Sequence, residues 1–171
     1  MKAENQSNKA SAFAEKAHAG QTRRNGEPYY NHVHRVAALA KEHTDDEDII
    51  SAAYLHDTME DCGTTVAELE SLFGERVACM VQELTNDETL LEQLGKEEYM
   101  VRKLSAMSPE ALLVKLCDTL NNMSETDRPT QAGTYARIQQ RLQSNPPSCW
   151  NTIHQTLSNR ILSIYAEKFE N

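Results

Sequence analysis

This chain of 171 residues has little of what several protein classes require. It has no basic excess: Lys and Arg number 17 against 26 Asp and Glu, a formal charge of −9. A general nucleic-acid binder needs a basic face, so that class is excluded. A phosphorylated small molecule is not, because a metal or a few local cations can hold one. No stretch approaches the roughly 20 apolar residues of a membrane span, and residues 1 to 10 are polar rather than leader-like. No CxxC pair joins Cys62, Cys79, Cys117 and Cys149, which reads as four reduced thiols in a cytoplasmic protein. Glycine (6) and proline (5) are scarce and Val-rich alternating runs are missing. The expected fold is therefore all-α, in one domain over residues 1–171 with about eight to ten helices.

Caps and breakers set the expected elements. Ser7 to Ala19 is Ala-rich and is stopped by Gly20. A polar loop follows, Gln21 to Tyr30, with a turn at Asn25-Gly26 and adjacent cations Arg23 and Arg24. Asn31 is expected to cap a helix from His32 to about His43, and Thr44 or Asp45 the next one. Thr65-Val66-Ala67-Glu68 reads as a capping box, Glu75 to Thr85 as a helix, and residues 86–96 as a surface connection or frayed helix. Ser108-Pro109-Glu110 opens a long helix, and two more follow over about 131–144 and 149–169. His18 is expected to brace the arginine loop, with His34, His43 and His154 structural or solvated. Tyr29 and Tyr30 read as packing residues. The Asp45–Asp48 and Glu97-Glu98 runs read as solvated helix-start charges.

The richest segment is Leu55-His56-Asp57-Thr58-Met59-Glu60-Asp61. Read as continuous helix, it stacks His56 under Glu60 and Asp57 under Asp61. Three acids on one turn repel unless a cation sits among them, and mixed nitrogen and oxygen donors suit manganese, iron or zinc. His32 and Asp118 are further ligand candidates. At helical spacing Asp118 falls beside Lys115 and Asn122, next to an apolar face where a carboxylate needs a partner.

The segments "AHAGQTRRNGEPYYNH", "AAYLHDTMEDCGTTVAEL", "FGERVACMVQELTND" and "ALLVKLCDTLNNM" resemble the HD-domain hydrolases of the RelA/SpoT type over about residues 12 to 126. Those enzymes remove the 3′-pyrophosphate from the alarmones ppGpp and pppGpp. His-Asp alone is common by chance, but its combination with "GQTRRNGEPY" is much more specific. The resemblance implies a guanosine-3′,5′-bis(diphosphate) 3′-diphosphatase with an HD-type helical bundle. It implies His32, His56, Asp57 and Asp118 as metal ligands, usually holding manganese. Glu60 and Asp61 match the acidic pair that positions or deprotonates the attacking water. Arg23 matches the arginine lying against guanine, Arg24 stands where the family usually has a phosphate-side Lys, and Asn122 matches a ribose contact. Lys115 matches the lysine of the "KLAD" segment. The chain departs from the pattern at Val33 (usually Pro), Cys117 (Ala) and Asn121 (His), and none of these removes a ligand. Too few residues follow Asp118 for the synthetase domain of bifunctional members, so the chain resembles a stand-alone small hydrolase. The competing expectations are an HD phosphohydrolase for another nucleotide, such as the 2′-phosphate of NADPH, and a degenerate HD domain that only binds a nucleotide.

Overall fold

The computed structural model describes residues 5–170. Eleven helical segments form among them, nine of eight residues or more, and the sole β pairing is an isolated bridge between Thr22 and Pro28. The chain folds as two compact units that meet in sequence between Thr85 and Asn86.

The first unit contains α1 (Gln6–Ala17), α2 (Tyr29–Lys41), α3 (Glu47–Leu55), α4 (Thr58–Cys62), α5 (Val66–Phe73) and α6 (Glu75–Leu84). Every residue of α3 from Ile49 to Leu55 is buried, the pattern of a helix enclosed on all sides. It packs against α1, α2 and α6. Asp46, not Thr44 or Asp45, caps it by accepting from the Asp48 amide. Arg76 on α6 spans Asp46 and Asp48 at 2.8 and 2.9 Å, so these acids are paired rather than simply solvated. The α2 helix starts three residues before His32, behind Pro28. Asn31 therefore lies inside its first turn, where it donates to Glu27 instead of capping.

The second unit contains α7 (Glu88–Leu94), α8 (Lys96–Ala106), α9 (Pro109–Glu125), α10 (Pro129–Ser144) and α11 (Thr152–Phe169). Its most buried helix is α9, which encloses Leu112, Leu113, Val114, Leu116, Cys117, Asp118 and Leu120. Ser108 caps it through the Ala111 amide. Residues 88–94, expected as a surface connection or frayed helix, are a short helix capped by Asp87, none of whose side chains is buried. Glu97 and Glu98 at the start of α8 bind Arg137 and Arg141 of α10, again ion-paired rather than free in solvent. None of the described helices is long and apolar enough to cross a membrane.

His154 is fully buried at the start of α11. Its Nδ1 accepts from the Asn151 amide while Asn151 caps the helix in return, a capping box with imidazole in place of the usual Glu or Gln. Its Nε2 donates to the Pro109 carbonyl at 2.9 Å, which ties α11 to the start of α9. Burial lowers the His154 pKa, and a proton on Nδ1 would also destroy the Asn151 bond. A folded pKa below the unfolded one gives stability that is complete above the ordinary histidine value and is lost as pH falls through the folded value. We expect His154→Gln to cost about 1–2 kcal/mol at pH 8. The gap to wild type should narrow as thermal melts move below about pH 6.5; a gap that widens on acidification would contradict this assignment.

Candidate metal centre

The His56-Asp57 pair does not lie within a continuous helix. The α3 helix ends at Leu55 and α4 begins at Thr58. The Leu55 carbonyl takes its hydrogen from the Thr58 hydroxyl at 2.8 Å, so a side chain closes α3 locally. Asp57 has φ −104° and ψ −1°, in the sparsely populated bridge region. The turn beyond is helical again, with the Asp61 amide donating to the Asp57 carbonyl at 2.9 Å. Gly63, at φ +71°, ends it in the left-handed conformation. The expected stacking of Asp57 and Asp61 is thus present, on a two-part helix.

This break turns His56 and Asp57 toward His32, which α2 supplies from its first turn. Ring nitrogens of His32 and His56 lie within 4.8 Å of each other. His32 Nε2 is 3.7 Å, and His56 Nε2 is 2.9 Å, from the same Asp57 oxygen, Oδ2. His32 and His56 are 1% and 2% exposed, Asp57 19%. His56 Nδ1 lies 2.8 Å from the Ala53 carbonyl. A carbonyl only accepts, so the Nδ1 proton points there and the Nε2 lone pair faces a carboxylate oxygen. Two acceptors at 2.9 Å repel unless a cation or an added proton stands between them. Two ligand bonds of about 2.1 Å put their donor atoms about 3.0 Å apart at right angles and about 3.4 Å apart in a tetrahedron. Those separations lie between the two observed here, so the donor set fits a divalent ion by geometry as well as by chemistry.

Beside the three donors, Glu60 and Asp61 are exposed on α4. The Asp61 carboxyl is nevertheless partly withdrawn from water. That desolvation and the Asp57 charge raise its pKa, and the nearby Tyr29 hydroxyl offsets part of the rise. The arginine loop is a small hairpin. The Arg23 amide donates to the Glu27 carbonyl and Gly26 to Arg23, with Gly26 at φ +87°. Arg35 grips the Glu27 carboxylate with both terminal nitrogens, at 2.8 and 3.0 Å, and holds its pKa well below the ordinary range. His18 braces the loop, as its position suggested. Its Nδ1 meets the Gln21 side chain at 2.9 Å and its ring stacks on Tyr29. Arg23 lies over the Tyr29 ring, while Arg24 is exposed.

The sequence treated Tyr29 as packing, yet its hydroxyl donates to Asp57 Oδ2 at 2.7 Å. The available signal was its place three residues before His32, one helical turn away on the same face. In the second unit, Asp118 is buried with Lys115 Nζ on one carboxylate oxygen and Asn122 Nδ2 on the other, both at 2.7 Å. That is the i−3 and i+4 arrangement the sequence indicated.

Comparison with known proteins adds three findings. The family model described as HD domain matches residues 10–144. Over 72% of this chain and 71% of its own length, the human protein guanosine-3′,5′-bis(diphosphate) 3′-pyrophosphohydrolase MESH1 is 40% identical. The Danio rerio protein of the same name is 42% identical over 75% and 73%. A solved structure, reported as a metazoan ortholog of SpoT that hydrolyzes ppGpp, superposes with a TM-score of 0.65 at 24% identity, covering 98% of this chain and 89% of that one. At that identity the superposition establishes the fold.

A divalent ion bound at the three donors should stabilise the chain. At a free manganese concentration about 100 times Kd the gain is about 2.7 kcal/mol, readable as an upward shift in melting temperature that EDTA reverses. His56→Ala and Asp57→Ala should each abolish the shift. Persistence of the full shift in both variants would place the ion elsewhere.

Proposed function

The chain belongs to the HD-domain family, and we propose that it is a metal-dependent hydrolase of guanosine alarmones, converting ppGpp to GDP and pyrophosphate and pppGpp to GTP and pyrophosphate. The observation that carries the reading is the approach of the His56 Nε2 lone pair to Asp57 Oδ2 at 2.9 Å, with His32 beside the same oxygen. Such an arrangement suits a cation, with donor separations close to those of ligands on one divalent ion. The choice of substrate is supported by the names of the human and zebrafish relatives and by the two cations of the Arg23-Arg24 loop. The family match runs through both units, which supports treating residues 1–171 as one catalytic domain. A cytoplasmic setting fits four cysteines that form no disulfide among the described residues.

In this reading His32, His56, Asp57 and Asp118 hold the ion, with Lys115 and Asn122 orienting Asp118. Two imidazoles favour manganese over the harder magnesium. When bound, the ion would offset negative charge on the phosphoryl oxygens at the phosphorus under attack and make water a stronger nucleophile. Glu60 and Asp61 supply carboxylates that orient the attacking water and accept its proton. The guanidinium of Arg23 lies flat on the purine, and Arg24 neutralises phosphate as an exposed charge. The Lys115 ammonium has three donors, enough to serve Asp118 and a phosphate together, while Asn122 contacts the ribose. A chain of net charge −9 repels a polyphosphate at long range, so binding depends on these local cations and the ion.

The deciding experiment incubates the purified chain and manganese with ppGpp, pppGpp, NADPH and simple nucleotides and identifies the products. GDP and pyrophosphate should form from ppGpp. Turnover of NADPH or another substrate lacking a 3′-pyrophosphate, with none of ppGpp, would overturn the assignment. Within the same assay Glu60→Gln should keep the metal while kcat falls by about two to four orders of magnitude; loss of metal in proportion to rate would make Glu60 a ligand. Arg23→Ala should raise KM with kcat nearly spared, because stacking acts on ground state and transition state alike. A selective fall in kcat would assign Arg23 a role in the chemical step.

A further inference from the structure

Tyr29 joins two parts of the first unit that the proposed function keeps separate, the metal donors and the arginine loop. It is the first residue of α2, and its backbone amide donates to the Gln21 carbonyl, so its position is fixed by the base of the loop. Its ring is stacked on His18 at a centroid distance of 4.7 Å and 25° between planes. The Arg23 guanidinium carbon lies 5.6 Å from the same ring's centre, within cation–π range. The ring also meets His32 edge-on at 5.6 Å. At the other end of the side chain, the hydroxyl donates to Asp57 Oδ2 at 2.7 Å, the oxygen that both imidazoles face. The same hydroxyl is within hydrogen-bonding reach of Asp61. A phenol has one proton to donate, and the geometry directs it to Asp57.

Resting on the metal-dependent reading above, we propose that Tyr29 is a positioning residue with two separable parts. The hydroxyl fixes the Asp57 carboxylate so that Oδ2 is presented to the ion. The ring is the platform that holds Arg23 in place for the base of the substrate. A carboxylate ligand left to rotate loses part of its binding energy to the ordering of that rotation, and removing an outer hydrogen-bond partner of a metal ligand typically weakens binding about 10–100-fold.

Two variants separate the parts. Tyr29→Phe removes the hydroxyl and keeps the ring; Tyr29→Leu removes both. Manganese affinity is read directly, from the free-ion signal in electron paramagnetic resonance titrations of the metal-stripped protein, and ppGpp kinetics are read at saturating manganese. Tyr29→Phe should bind manganese at least about tenfold more weakly. Its kcat should recover when manganese is raised, with KM for ppGpp within about twofold of wild type. Tyr29→Leu should show the same metal defect and also a raised KM, and adding Arg23→Ala to it should raise KM no further. Circular dichroism melts of the metal-free proteins check folding; if the Leu variant does not fold, the Phe variant still decides the claim for the hydroxyl. Wild-type manganese affinity in Tyr29→Phe overturns that claim. A normal KM in a folded Tyr29→Leu, or full additivity with Arg23→Ala, overturns the claim for the ring. If wild type binds manganese but leaves ppGpp intact, the substrate assignment fails while the manganese titration still judges the hydroxyl.

Discussion

Everything functional in the first unit is organised around one electrostatic conflict. The protein places an imidazole lone pair 2.9 Å from a carboxylate oxygen and a second imidazole 3.7 Å from it, with both rings almost wholly out of water. With neither a cation nor an added proton between them, these groups repel in a medium that screens poorly. Their arrangement is therefore maintained by surrounding structure: the Ala53 carbonyl that fixes the His56 tautomer, the Thr58 hydroxyl that closes α3, and the Tyr29 hydroxyl on Asp57. A cation placed among these donors removes the conflict.

The supports for this arrangement come from the most enclosed helix of the unit. Because α3 is buried on all sides, the end that delivers His56 has little freedom, and the break after it can be sharp without becoming loose. The same logic applies by itself to α9, whose buried middle carries Asp118 between Lys115 and Asn122. A buried carboxylate with two donors, one of them a cation, is already largely compensated. The loop with Arg23 and Arg24 is built differently, on the surface, and is pinned by the Glu27–Arg35 fork and the His18–Tyr29 stack. An acidic chain in this way keeps a small cationic loop beside a buried donor set.

Much of this was legible in the sequence because the signals were short-range. The helical relation of Asp118 to Lys115 and Asn122 follows from spacing alone, and the starts at Ser108-Pro109 and Thr65 follow from cap chemistry. The break at His56-Asp57 was not legible, since it depends on a hydroxyl choosing the Leu55 carbonyl rather than on a Gly or Pro. The α7 helix read only as a surface connection or frayed helix because it buries nothing. The Glu97-Glu98 pair marked the start of α8, but its buried Tyr99, Met100 and Leu104 are too few to make a clear period. Tyr29 was read as packing because its contact with Asp57 lies 28 residues away in sequence. Asn31 looked like a cap because Asn is a favoured N-cap residue, but the helix already starts behind Pro28.

The most direct test of the account is to ask what surrounds the ion. Pulsed electron paramagnetic resonance on the manganese-loaded protein detects nitrogen nuclei bound to the metal. The account predicts nitrogen modulation from two imidazoles, reduced to one in His32→Ala and in His56→Ala, at metal concentrations high enough to keep each variant loaded. A manganese centre with no bound nitrogen, or one whose nitrogen signal survives loss of both histidines, would contradict it.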